Sequence, residues 1–226
     1  MTQLPSMPGP QPPSLDEHFA RLTLEGLDDR YEDRVLWPNT PIADLQPQIE
    51  KMQGVSDRKS RDTRSRPYLI KMALKQLIDK GRLRAKTLTV LDAPCGDALI
   101  LGEIKRAWHT ARCYGLDANT FESYSLLRRE GVKLYKVYLQ RLFAEPLPER
   151  VDVAMMLNTF RGWHSAQLRD SEADLAEQAE AWLLANADIL VLTLNSDQMR
   201  HFNKIGKPPQ IIGPGEEGSM LVFIRC

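Results

Sequence analysis

From Thr87 onward, short β-rich apolar runs alternate with segments of helical periodicity, and this alternation restricts the chain to a narrow group of folds. The runs TLTVLDA (87–93), RCYGLDA (112–118), VKLYKVYL (132–139), VDVAMMLN (151–158) and DILVLTLN (188–195) read as five strands. ALILGEIKRAWH, TFESYSLLRREG and the long SAQLRDSEADLAEQAEAWLLANA between them read as helices. PQIIGPGEEGSMLVFIR closes the chain as two strands around a Gly-rich turn. Alternation of strands with helices argues for parallel strands, because each helical crossover returns the chain to the end of the sheet where the previous strand began. The pattern therefore predicts an α/β fold: a mostly parallel sheet flanked by helices, with an antiparallel C-terminal hairpin.

Upstream the pattern differs. Residues 1–14 hold five prolines and no Trp, Tyr, Phe, Ile or Val, so they have little to bury and read as a flexible Pro-rich tail. Residues 15–66 carry one helix from Leu15 to about Leu27, a stretch punctuated by Pro38 and Pro41, and a second helix from Ile42 to Met52. They are expected to form a helical N-terminal cap or lid. Residues 67–226 form the main domain, opening on the helix PYLIKMALKQLIDKG, with Pro67 in its first turn and Gly81 at its end. With 226 residues, 42% of them hydrophobic, the chain suits one domain plus this extension. Lys+Arg and Asp+Glu number 30 each, so no global charge bias points to nucleic acid or membrane lipid. Three sparse cysteines and an N-terminus without a basic, apolar leader suit the cytoplasm, and no apolar run reaches membrane-spanning length.

The sharpest local feature is VLDAPCGDA, residues 90–98, where a buried strand ends at Asp92 and a tight turn through Gly96 opens a helix. Ligands of open α/β sheets sit at such carboxyl ends, and Ala93, Gly96 and Ala98 keep the turn small enough for backbone to meet a ligand. Asp117 lies 21 residues beyond Gly96, at the end of the next strand. An acid there accepts hydrogen bonds from ribose hydroxyls, which points to a nucleoside-containing cofactor. The single glycine does not make the G-x-G-x-x-G cradle of a dinucleotide. Asp92 opposes a pyrophosphate and suits a ligand bearing ammonium and sulfonium groups.

Residues 90–98, with GLDAN at the second strand and VDVAMMLN at the fourth, resemble class I S-adenosylmethionine-dependent methyltransferases, here with Pro-Cys-Gly where Gly-Cys-Gly is commoner. The resemblance extends over roughly 67–226 and implies a Rossmann-like fold whose last strand is reversed. It implies S-adenosylmethionine as cofactor and S-adenosylhomocysteine as product. By this resemblance Asp92, Ala93, Pro94, Cys95 and Gly96 line the methionine portion, Asp117 holds the ribose, and Ala118 lies beside the adenine. Leu157 and Asn158 flank the cofactor at the fourth strand, and Arg66 meets its carboxylate. The acid often found near the adenine after the third strand is missing from VYLQRLF, and Gln140 is the residue available there.

Other candidates follow from position. Segment 51–86 has 12 Lys/Arg and three Asp, a local +9, which suits an anion site or a solvated helix face equally. In NTFRGWH (158–164), Phe160 and Trp163 suit a flat acceptor and His164 suits a general base near neutral pH, while packing and solvation explain them as well. No metal site is expected, since no His or Cys has a partner at ligand spacing. No Asn/Asp-Pro-Pro-Tyr/Phe tetrapeptide follows the fourth strand, which disfavours methylation of nucleobase amines. The expectation is therefore methyl transfer to an O or N atom of a small molecule or glycan. The alternatives are an RNA or protein methyltransferase using segment 51–86, and a non-catalytic nucleoside- or partner-binding module. The sequence is silent on oligomeric state.

Overall fold

The computed structural model of the chain describes residues 12–23, 66–119, 121, 123–157, 170–215 and 219–226. The expected helix at 42–52 and most of the segment expected as a cap lie outside them. Among the described residues, seven strands form one sheet: β1 (Thr89–Asp92), β2 (Arg112–Asp117), β3 (Lys133–Lys136), β4 (Val151–Met156), β5 (Ala187–Leu194), β6 (Gln210–Pro214) and β7 (Met220–Arg225). Their order is β3-β2-β1-β4-β5-β7-β6. β1 to β5 pair in parallel, whereas β7 inserts antiparallel between β5 and β6. This is the expected mostly parallel, Rossmann-like sheet with a reversed final strand.

Seven helices are described: α1 (Leu15–Leu22), α2 (Arg66–Asp79), α3 (Leu99–Ala107), α4 (Ser123–Arg129), α5 (Leu139–Phe143), α6 (Asp170–Asn186) and α7 (Ser196–Lys204). Strand side chains alternate between two cores. Val90, Val153 and Val191 face α2, α3 and α4 through Ile70, Leu101 and Leu127. Leu91, Ala154 and Leu192 face α1, α5, α6 and α7 through Phe19, Leu142, Trp182 and Phe202. The central strands are buried on both faces, hence their continuous apolar runs. No described helix is long and apolar enough to cross a membrane.

Three expectations change. First, α1 ends at Leu22, short of the expected Leu27, and its Leu15, Phe19 and Leu22 are buried in the main core. Phe19 packs against Tyr114 of β2 and Tyr135 of β3 at ring separations of 5.3 and 5.8 Å, and the Tyr135 hydroxyl donates to Asp16 at 3.0 Å. Ser14 caps the helix with Glu17 in a reciprocal box. Second, VKLYKVYL divides into β3 and α5. After Val137 N donates to Asp117 O at 2.9 Å, Leu142 and Phe143 turn inward, Phe143 lying 5.5 Å from the Trp182 ring. Third, α7 follows β5 where no helix was expected, started by an Asn195–Gln198 capping box.

Candidate functional site

The chain leaves β1 toward β2 and β3, then returns on the other side to β4, so the carboxyl end of β1 is where the strand order reverses. Residues 92–98 turn at this point and hang from both neighbouring strands. Ala93 N donates to Met155 O of β4 at 3.0 Å, and Cys95 N donates to Leu116 O of β2 at 3.0 Å. Gly96 has φ of 52°, and a Cβ built there meets nothing within 4 Å, so among the described residues the space over this peptide is open. Ala98, at the N-cap of α3, has the same left-handed φ without being glycine. Gly115 of β2 serves packing: a Cβ there would lie 2.9 Å from Cys95 Sγ and 2.5 Å from Leu134.

Asp117 closes β2 and is buried. Its Oδ2 accepts from Gly96 N at 2.9 Å and its Oδ1 from Asn119 N at 2.8 Å. The acid therefore ties the glycine turn to the second strand, and each oxygen keeps a further lone pair for a ligand. Asp92 is 2% exposed, and among the described residues its Oδ1 has no hydrogen-bond partner. Burial pushes its carboxyl well above the ordinary aspartate range; Asp97 and Asp117 push the same way, and the Arg66 guanidinium at the start of α2 opposes them. An acid so placed gains most from an added cation, which restores the stabilisation that burial withdraws.

α4 holds the turn from outside. Tyr124 donates its hydroxyl to Gly96 O at 3.0 Å and lies 3.2 Å from Cys95 Sγ, while Ser123 Oγ donates to Asp97 O at 2.6 Å. Burial raises the tyrosine's pKa, so it remains a neutral donor at ordinary pH. Neither Ser123 nor Tyr124 stood out in the sequence, because a Ser-Tyr pair at a helix start carries no chemistry of its own. Asp97, the third acid, was visible inside the motif.

The fold thus gathers residues 92–97 and Asp117 at one mouth, with Arg66 acting on it electrostatically. Ala118 follows β2 half-buried, Pro94 is half-buried in the turn, and Leu157 continues β4 against the α2–α4 core. Gln140 lies exposed on α5, and no described hydrogen bond joins it to this group. Asn158, Phe160, Trp163 and His164 lie outside the described residues.

No protein-family model matches the sequence, and no curated protein matches it. Solved structures do share its architecture. The bifunctional kinase-methyltransferase WbdD aligns with a TM-score of 0.51 and 17% identity, over 74% of this chain and 40% of that one. The fold is that of the class I methyltransferases. Magnesium protoporphyrin IX methyltransferase (ChlM) from Synechocystis PCC 6803, solved with bound SAM, aligns with a TM-score of 0.48 and 16% identity, over 90% of this chain and 100% of that one. The chain spans about two fifths of the length of WbdD.

Proposed function

We propose that the protein is an S-adenosylmethionine-dependent methyltransferase acting on an O or N atom of a small molecule or glycan. One observation carries this reading: a buried aspartate, Asp92, leaves an oxygen unpartnered beside an open glycine turn, at the strand end where the order reverses. A pyrophosphate would meet that carboxylate with like charge, whereas an ammonium group would neutralise it. The residues present fit S-adenosylmethionine: Asp92 for its ammonium, Arg66 for its carboxylate, Asp117 for its ribose. Ala118, Leu157 and Asn158 are proposed to flank the adenosine, with Gln140 the weakest member of the set because it is exposed on α5.

When bound, S-adenosylmethionine supplies a methyl group already activated on a sulfonium. The chain's own contribution is then alignment and exclusion of water. Ser123, Tyr124 and Asp117 fix the turn whose Gly96 peptide faces the open space. We assign the removal of an acceptor proton, where one is needed, to His164, and acceptor selection to the segment between α1 and α2, which ends at Arg66. Support for a small acceptor comes from the balanced net charge and the missing tetrapeptide after β4. Calorimetric titration with S-adenosylmethionine, S-adenosylhomocysteine and NAD tests the reading. Binding of the first two and not the third is expected, and the reverse preference overturns it.

A further inference from the structure

A second concave site lies at the opposite end of the sheet from the mouth. α2 starts at Arg66 and runs 14 residues, so its far end lies about 20 Å away at 1.5 Å per residue. There a cavity of about 350 Å³ opens between the end of α2 and the β6–β7 edge of the sheet. Among the described residues, Lys80, Arg82 and Arg225 line it, together with the amides of Gln76 and Gln210, and no acidic residue does. Phe223 contributes apolar floor, on the face of β7 that also packs into the α2–α4 core.

Ordinary structural needs do not account for this composition. The nearest acid in sequence, Asp79, is engaged by Lys75 at 2.6 Å. Among the described residues, no ion pair neutralises Lys80, Arg82 or Arg225. A cation just after a helix complements its dipole, which explains Lys80 and Arg82. Arg225 comes from a strand and brings a third positive charge to the same space without that reason. Three cations exceed what one carboxylate needs and suit a dianionic phosphate, with primary amides to hydrogen-bond a polar body. The volume lies in the range of small-ligand pockets, about 300–1,000 Å³.

We propose that this cavity binds a small phosphorylated molecule, with the phosphate held by Lys80, Arg82 and Arg225 and the organic body resting on Phe223 between Gln76 and Gln210. The site shares no lining residue with the mouth and stands independently of the methyltransferase reading.

The test is calorimetric titration of the full chain with ribose 5-phosphate, inorganic phosphate and a single-stranded RNA oligonucleotide, each with S-adenosylhomocysteine present. Ribose 5-phosphate is expected to bind more tightly than inorganic phosphate. The Arg82→Gln/Arg225→Gln variant, changed at two exposed positions, should keep its melting temperature and bind ribose 5-phosphate roughly tenfold more weakly or worse. Equal binding by variant and native chain overturns the site, as does no binding of ribose 5-phosphate at roughly millimolar concentration. Equal affinity for both phosphates overturns the role of the organic body. Binding of RNA alone overturns the small-molecule assignment.

Discussion

Asp92 gives the site its most specific signature, because its burial has a cost that a cofactor relieves. Its carboxyl titrates above the ordinary aspartate range when folded, so the folded chain takes up a proton that the unfolded chain does not until lower pH. Its contribution to stability therefore rises as pH falls from the folded value toward the ordinary one, and is lost as pH rises through it. An ammonium ligand favours the ionised form, so cofactor affinity should weaken over the same descent. Asp92→Asn removes the charge at nearly constant shape. The variant should melt no lower than the native chain at neutral pH, and its binding should no longer change across that range, as paired melting and titration series will show.

Asp117 behaves differently. Although it sits at a strand mouth, it accepts from two loop peptides while buried. Asp117→Ala should leave both N–H groups short of an acceptor, costing about 1–3 kcal/mol of stability as well as cofactor affinity. A melting curve unchanged by this substitution would contradict the tie between β2 and the turn. Gly96→Val has a cleaner effect, because among the described residues nothing lies within 4 Å of a Cβ built at that glycine. The left-handed φ makes a β-branched residue costly there, by roughly 1–2 kcal/mol, while the side chain fills the open mouth. A folded variant that no longer binds is expected by circular dichroism and titration.

At the scale of elements, α1 and α4 each do a task the sequence leaves unspoken. Residues 1–14 hold five prolines and no Trp, Tyr, Phe, Ile or Val, so removing them should leave stability unchanged apart from the Ser14 cap, worth about 1 kcal/mol. Removing α1 as well uncovers Tyr114, Tyr135 and Leu142, so a chain starting at residue 57 should melt far lower than native or fail to fold. Phe19→Ala alone should cost about 3–5 kcal/mol. A stable, fully active 57–226 fragment would contradict this packing. For α4, Tyr124→Phe deletes the hydroxyl that reaches Gly96 O and should cost about 1 kcal/mol, with a matching loss of cofactor affinity.

At the scale of the whole molecule, the sheet was legible because β1, β2, β4 and β5 are buried on both faces and so appear as unbroken apolar runs. The turn was legible for a different reason: the left-handed φ of 52° at Gly96 favours glycine, and Gly115 leaves room for Cys95. The end of β3 was not, because a short apolar run such as Val137 to Phe143 suits strand or helix, and the packing of Phe143 on Trp182 comes from a helix distant in sequence. The place of α1 was hidden too, since an amphipathic helix declares that it must be covered and not by what. Tyr124 belongs to the same class, its role fixed by a loop 28 residues earlier in the chain. The central claim is that a buried carboxylate with one unpartnered oxygen, at the carboxyl end of the first strand, receives the ammonium of S-adenosylmethionine. Its most direct test is calorimetric titration of S-adenosylhomocysteine into the full-length native chain and its Asp92→Asn variant at neutral pH. Saturable binding by the native chain, weakened roughly tenfold or more in a variant that is equally or more thermostable, is the predicted result. Equal affinity in both chains, or no binding by a folded native chain, would contradict it.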